Sequence, residues 1–220
     1  MAQTLATKKK RAKNAQEAGN FYDRIAGLYN LTFKFNGYGR SLHQYFRKNP
    51  IPLSRHAKIL DAGCGTGLLT VALLKALDFP VRITAIDLSG SSIVTAQKAV
   101  DEKAGRADKV RFAQANVLAL PFADNSFDFI VTSGVLEYVP LDKGLGELAR
   151  VLKPKGYILH LPVRPSPISR LLEIMFRFKA HHPREVAKNT RRYFRVVNHY
   201  RFPSLHPIGW SKTAVLAQKF

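Results

Sequence analysis

KILDAGCGTGLLTVALL, residues 58–74, decides the fold. A short apolar run ends in Asp61, glycines follow at 63, 65 and 67, and a longer apolar run then continues at helical length. Glycine lets the backbone turn sharply and approach a ligand closely, so this reads as strand, tight turn and helix. The alternation continues outward. Strand-like stretches stand at AKILDA (57–62), VRITAID (81–87), VRFAQA (110–115), SFDFIVTS (126–133) and GYILHLPV (156–163). Helix-like stretches separate them at 68–77, 91–105 and 143–152, the last ended by Lys153-Pro154-Lys155-Gly156. Strand and helix in alternation predict a parallel sheet with right-handed crossovers. YFRVVNHYRF (193–202) and WSKTAVLAQKF (210–220) have only a short Pro/Gly-containing turn between them and no helix, which predicts an antiparallel pair closing one edge. The expected fold is α/β, a Rossmann-like doubly wound sheet of seven strands, mostly parallel with an antiparallel C-terminal pair.

Ligands of such sheets bind at the carboxyl ends of the strands. A dinucleotide fingerprint needs G-x-G-x-x-G, but Gly63-Cys64-Gly65-Thr66-Gly67-Leu68 brings its third glycine one residue early. The chain also has no G-x-x-x-x-G-K-[ST] phosphate loop. Asp61, two residues before the turn, would repel a pyrophosphate and attract an ammonium group. Asp87 ends the second strand, where a carboxylate accepts from both hydroxyls of a ribose. The pocket therefore reads as ribose plus a cation. The bland alternatives are a plain strand-to-helix connection for the glycines and a helix cap for Asp87.

ILDAGCGTG (59–67), AIDLS (85–89), ANVLALPFADNSFDFI (115–130), SGVLEYVP (133–140) and LARVLKPKGYILHLP (148–162) stand in an order that resembles the class I S-adenosylmethionine-dependent methyltransferases. The resemblance implies S-adenosyl-L-methionine as cofactor. It assigns Asp61, Gly63, Gly65 and Gly67 to the methionine moiety, Asp87 to the ribose and Leu88 to the adenine face. Asn116, where the family usually has Asp, would accept from the adenine amino group, Val117 would offer a backbone N–H, and Ser133 would lie beside the methyl group. Glu137 and Tyr138 are read as structural or as the edge of the ligand site. Methyl transfer asks mainly for in-line positioning and desolvation, so no catalytic residue is assigned; Tyr22, Tyr29, His43, His160 and His199 are the candidate bases, and His160 falls in a buried strand. The seven histidines and the single Cys64 form no ligand spacing, and no metal site is expected.

The acceptor must be sought in the flanks. The formal net charge is +20. Residues 1–58 carry +10, residues 59–160 carry none, and residues 161–220 carry +10. This segregation predicts one electropositive surface built from the two ends. Residues 1–20 read as a basic flexible arm and 21–220 as a single methyltransferase domain, with substrate-cover helices at 21–56 and a basic amphipathic insert at 164–192. The stretch 21–42 resembles ubiquinone/menaquinone C-methyltransferases and bacterial phospholipid N-methyltransferases. Pro162 stands where the quinone enzymes usually carry an acid. In the insert, Ile168, Leu171, Leu172, Met175 and Phe176 fall on one helical face, opposite Arg170, Glu173 and Arg177.

A basic amphipathic helix suits an anionic membrane surface, and the acceptor is then a small molecule or a lipid. The runner-up is RNA methylation, with Tyr193, Phe194, Tyr200 and Phe202 interleaved among Arg191, Arg192, Arg195 and Arg201. A third class is a cofactor-binding protein without transferase activity. No secretory signal or spanning helix is expected, which places the protein in the cytoplasm or on the inner face of a membrane. The sequence leaves the oligomeric state open.

Overall fold

The structure, a computed structural model, describes residues 38–104, 110–203 and 208–220. The basic arm, Tyr22, Tyr29 and residues 21–37 of the cover region lie outside the described residues. Seven strands form one sheet: β1 (Lys58–Ala62), β2 (Arg82–Asp87), β3 (Val110–Gln114), β4 (Phe127–Ser133), β5 (Leu152–Leu161), β6 (Phe194–Arg201) and β7 (Thr213–Lys219). Their order is β3-β2-β1-β4-β5-β7-β6. The first five are parallel, and β7 runs antiparallel between β5 and β6.

Helices cover both faces. α1 (Tyr38–Lys48), α2 (Leu68–Ala76) and α3 (Gly90–Ala104) enclose one core with Ile59, Phe129, Val131 and Leu159 of the sheet. α4 (Leu141–Val151) closes the other face over Leu60, Ile130 and Ile158. α2 is buried from Leu69 through Leu74 because α1 and α3 flank it, which explains a helix apolar on all sides. β1 lies in mid-sheet, so four of its five residues are buried.

Three details differ from the sequence reading. α4 ends at Val151 and β5 starts immediately at Leu152; the Lys153-Pro154-Lys155-Gly156 stretch is an irregularity inside the strand, with Lys155 at φ 59°. Proline cannot donate to the ladder, and a left-handed residue lets the strand bulge around it. Between β6 and β7 a one-turn helix, α7 (Ile208–Ser211), stands where only a turn was expected. The insert forms two helices, α5 (Pro167–Phe176) and α6 (Pro183–Thr190), because Arg177 at φ 52° ends the first.

The aromatic residues of 193–202 take part in packing. Phe194 and Phe202 are buried and Tyr193 and Tyr200 half-buried, while the four arginines are exposed. Tyr200 and Phe202 pack edge-on with each other, and Tyr200 packs edge-on with Tyr45 of α1. Strand alternation turns the rings inward and leaves charge on the outside of an edge strand.

The loop between β3 and β4 is tied down from α4. The Arg150 guanidinium donates to Glu147, Asp124 and the carbonyls of Phe122 and Leu120, and Glu147 accepts from the Leu120 N–H at 2.8 Å. Arg150 holds the Glu147 carboxyl below its usual range. Arg150→Met is expected to cost about 1–2 kcal/mol, read as a lowered melting transition, because these charged hydrogen bonds are only partly shielded from water.

Candidate functional site

The glycine turn is held by β2. The N–H groups of Gly63 and Cys64 both donate to the Ile86 carbonyl at 2.8 Å, and the Gly65 N–H donates to Asp87 Oδ2 at 2.8 Å. Asp87 Oδ1 accepts from the Ser89 N–H at 2.9 Å, so this carboxylate pins the turn and caps the start of the next crossover. Gly63, Gly65 and Gly67 all take positive φ. A Cβ at Gly63 would overlap Val135 Cγ2 at 1.9 Å, and one at Gly67 would stand 3.0 Å from Ala96 Cα. The close approach at Gly67 is therefore to α3, not to the helix that follows it. Around Gly65 there is open space. That is the side on which a ligand can lie against the backbone.

Asp61 sits beneath this turn, fully buried at the end of β1. Its Oδ2 accepts from the Thr70 hydroxyl at 2.5 Å, and Oδ1 has no hydrogen-bond partner. Burial pushes the Asp61 carboxyl up to about 7, the Thr70 bond opposes this, and Asp87 adds to it. A buried carboxylate oxygen without a donor is costly unless something cationic or hydrogen-bonding meets it. The cationic methionine portion of S-adenosylmethionine supplies such a group, so the residues present fit this cofactor.

The remaining predicted cofactor residues border the same turn. The Ala115 N–H donates to the Asp87 carbonyl at 2.9 Å, which brings Asn116 and Val117 beside the end of β2. Asn116 Oδ1 accepts from the Leu118 N–H at 2.9 Å. Its side chain thus closes its own turn, and one lone pair of that oxygen remains for a ligand. Leu88 is half-buried, and its carbonyl accepts from Gln114 Nε2. Val117 is buried against the α4 side. Ser133 lies across β1, at the end of β4.

Sequence reasoning missed a cluster around Ser133. The Lys212 ammonium donates to Ser133 Oγ at 2.8 Å and stands 5.5 Å from the centre of the Tyr38 ring, and the Tyr38 hydroxyl hydrogen-bonds the same serine. Glu137, in the 3-10 turn Leu136–Tyr138, accepts from the Val163 N–H through Oε1 at 2.6 Å. Its Oε2 is buried without a partner. An acid thus reaches the end of β5 after all, from the turn behind β4 rather than from position 162. Burial raises the Glu137 carboxyl, with Lys212 opposing, and burial lowers the Lys212 ammonium to about 8, with Glu137 opposing. The one sequence signal was a lysine just before an apolar strand.

The candidate bases are dispersed. His43 is half-buried on α1 with no partner for Nδ1. His199 is exposed on β6, the edge strand, opposite Val215. His160 is buried in β5 beside Thr132, and burial, then Lys212, hold its imidazole down to about 3. It is a neutral core residue at ordinary pH.

Residues 60–160 match the family described as methyltransferase domain. The chain is 34% identical over 145 residues to the demethylmenaquinone methyltransferase of Lactiplantibacillus plantarum, covering 64% of this chain and 56% of that one. It is 31% identical over 165 residues to the enzyme of the same name from Staphylococcus aureus (strain MRSA252), covering 73% and 63%. The chain therefore spans somewhat over half the length of these relatives. In structure it is similar to geranyl diphosphate C-methyltransferase from Streptomyces coelicolor A3(2), at TM-score 0.68 and 18% identity over 82% of this chain and 79% of that one. It is also similar to the SpnF cyclase, at TM-score 0.74 and 18% identity over 93% and 96%. Those two likenesses carry the fold alone, and the cyclase is a reminder that one fold hosts several reactions. With the motifs in order on the observed turn, the family match to the methyltransferase domain runs from Leu60 in β1 to His160 in β5.

Proposed function

We propose that the protein transfers a methyl group from S-adenosylmethionine to a small, quinone-like acceptor drawn from a membrane surface. The observation that carries the cofactor half is Asp61 Oδ1, a buried carboxylate oxygen without a donor beneath an open glycine turn. The acceptor half is supported by the demethylmenaquinone methyltransferases among the relatives.

When bound, the cofactor supplies a methyl group already activated by its sulfonium. The chain has to bind, orient and keep water out. Asp61 meets the cationic end, Gly63, Gly65 and Gly67 let the backbone approach it, and Asp87 accepts from the ribose hydroxyls. Leu88 packs on the adenine, Asn116 and Val117 address its edge, and Ser133 marks the methyl end. Asp87→Ala is expected to weaken binding of the demethylated cofactor by about 1–3 kcal/mol, since the ribose loses its acceptor and the turn its pin. Calorimetry with S-adenosylhomocysteine checks this, and unchanged affinity would remove Asp87 from the site.

The membrane half rests on α5. The helix presents only part of the face read from the sequence: Phe176 is buried, and Leu172 is half-buried beside it. Outward point Ile168, Leu171 (62% exposed), Met175 and Ile174 (80% exposed), a residue the sequence reading left out. α7 packs on α5 and adds the half-exposed Trp210. Arg170, Arg177 and Lys179 are exposed around this apolar face. Apolar side chains ringed by cations fit the interface of an anionic bilayer. No helix among the described residues is long and apolar enough to cross a membrane.

A further inference from the structure

The cleft beside the cofactor turn has apolar walls and charged groups at its inner end. It opens to solvent, and Leu172, Phe176 and Phe178 form much of its apolar wall. Glu137 and Lys212 line it too, and both are more than nine-tenths buried. Gly134, next to Ser133, joins this cleft to the methyl end of the proposed cofactor site. An unpaired carboxylate oxygen at Glu137 in an apolar cleft is expensive to maintain without a ligand. Packing alone would be served by a hydrocarbon side chain at either position.

We propose that this cleft is the acceptor pocket, and that Lys212 and Glu137 anchor an acidic hydroxyl on an otherwise apolar ring, the ammonium of Lys212 pairing with the ionised oxygen. The inference rests on the methyltransferase reading and deepens it, since it names the acceptor's chemistry. An apolar wall takes the ring and its chain, and the cation takes the oxygen. Ionising a ring hydroxyl pushes electron density onto the ring, which is what an acceptor carbon needs in order to attack a methyl group. Ser133 Oγ holds the Lys212 ammonium at 2.8 Å, and the Tyr38 ring lies 5.5 Å from it, so the cation is positioned before any acceptor arrives. Glu137 Oε2 accepts from a second hydroxyl or leads away a proton. Among the described residues, the titratable groups around the ammonium are Tyr38 from α1, Glu137 from the turn after β4 and His160 from β5, and His181 acts on Glu137 and His160. Near neutral pH Lys212 remains mostly charged and His160 neutral.

The test uses a 2-alkyl-4-nitrophenol, whose ionisation is visible in its absorbance, and its methyl ether, which cannot ionise. The full chain, with S-adenosylhomocysteine added, is expected to bind the phenol about tenfold or more tightly than the ether. The bound phenol should show the absorbance of the phenolate at a pH where the free probe is mostly neutral. Lys212→Gln is expected to abolish both the preference and the spectral change, and Lys212→Arg to keep the preference. Equal affinity of the wild type for phenol and ether would overturn the inference without any variant. So would an unchanged phenolate spectrum in a folded Lys212→Gln protein. If the wild type binds no S-adenosylhomocysteine, the methyltransferase reading itself fails. Those two failures are separate measurements.

Discussion

Asp61→Asn is expected to lose most of the affinity for S-adenosylmethionine while making the cofactor-free protein more stable above neutral pH. Removing one partner of a buried charge contact costs about 2–4 kcal/mol, roughly thirty- to a thousand-fold in Kd. The stability effect has the opposite sign. The Asp61 carboxyl stands at about 7 in the folded chain against 3.8 for the free group. Its protonated form is therefore favoured by folding. The stability this contributes is complete below the unfolded value and is lost as pH rises through the folded one, roughly 4 kcal/mol across that window. Asn116 and Asp87 are untouched by the change, and asparagine at 61 has no charge to bury. The melting transition of Asp61→Asn should lie above that of the wild type at pH 8 and near it at pH 4. Binding of the cationic cofactor should draw Asp61 into its ionised form and release protons at pH 6.5, detectable by calorimetry in buffers of different ionisation heat. The variant should release none. A wild-type protein with no proton release and a flat difference in melting between the two pH values would show that Asp61 is not the group that meets the cofactor.

Leu171→Ser combined with Ile174→Ser is expected to weaken binding to anionic vesicles by about a hundredfold or more. Each exposed side chain gives up roughly 1.5–3 kcal/mol of burial in the interface, and both point outward, so folding should be unaffected. Leu172→Ser with Phe176→Ser would be the wrong experiment, because these residues line the cleft and Phe176 is buried in the fold. Vesicles of neutral lipid should bind the wild type far less than vesicles with anionic headgroups, and raised salt should weaken the anionic case. RNA would share the salt dependence but not the response to serine at 171 and 174. Full vesicle binding by the double variant, or tight RNA binding with no affinity for vesicles, would move the basic flanks to a nucleic-acid role.

What could be read from the sequence follows from which forces act locally. The Gly63 to Gly67 turn and the strand alternation of 58–133 are local: positive φ demands glycine, and central parallel strands demand continuous apolar runs. The helix of residues 166–180 was legible as amphipathic, but not the direction it faces. Periodicity fixes a stripe; only packing decides which side meets the protein, and here Ser169 and Phe176 turn inward while Leu171 and Ile174 remain outside. Asn116 shows the other limit. Its side chain fits a ligand contact and also closes the turn to Leu118, two roles with the same residue preference. The Tyr38, Ser133 and Lys212 cluster was illegible because its members are 95 and 79 residues apart and meet only when α1, β4 and β7 converge. No local pattern marks such a meeting. The aromatic residues of 193–202 were open to two readings, and in the fold Phe194 and Phe202 are buried as packing residues.

Methyl transfer to a membrane-borne ring is tested by incubating the protein with methyl-labelled S-adenosylmethionine and a fractionated extract of membranes, soluble small molecules and RNA. Label is expected in an organic-extractable, ring-containing product of the membrane fraction, formed by the wild type and lost with Asp61→Asn. Label entering RNA instead, or no label entering any fraction although S-adenosylhomocysteine binds, would contradict it.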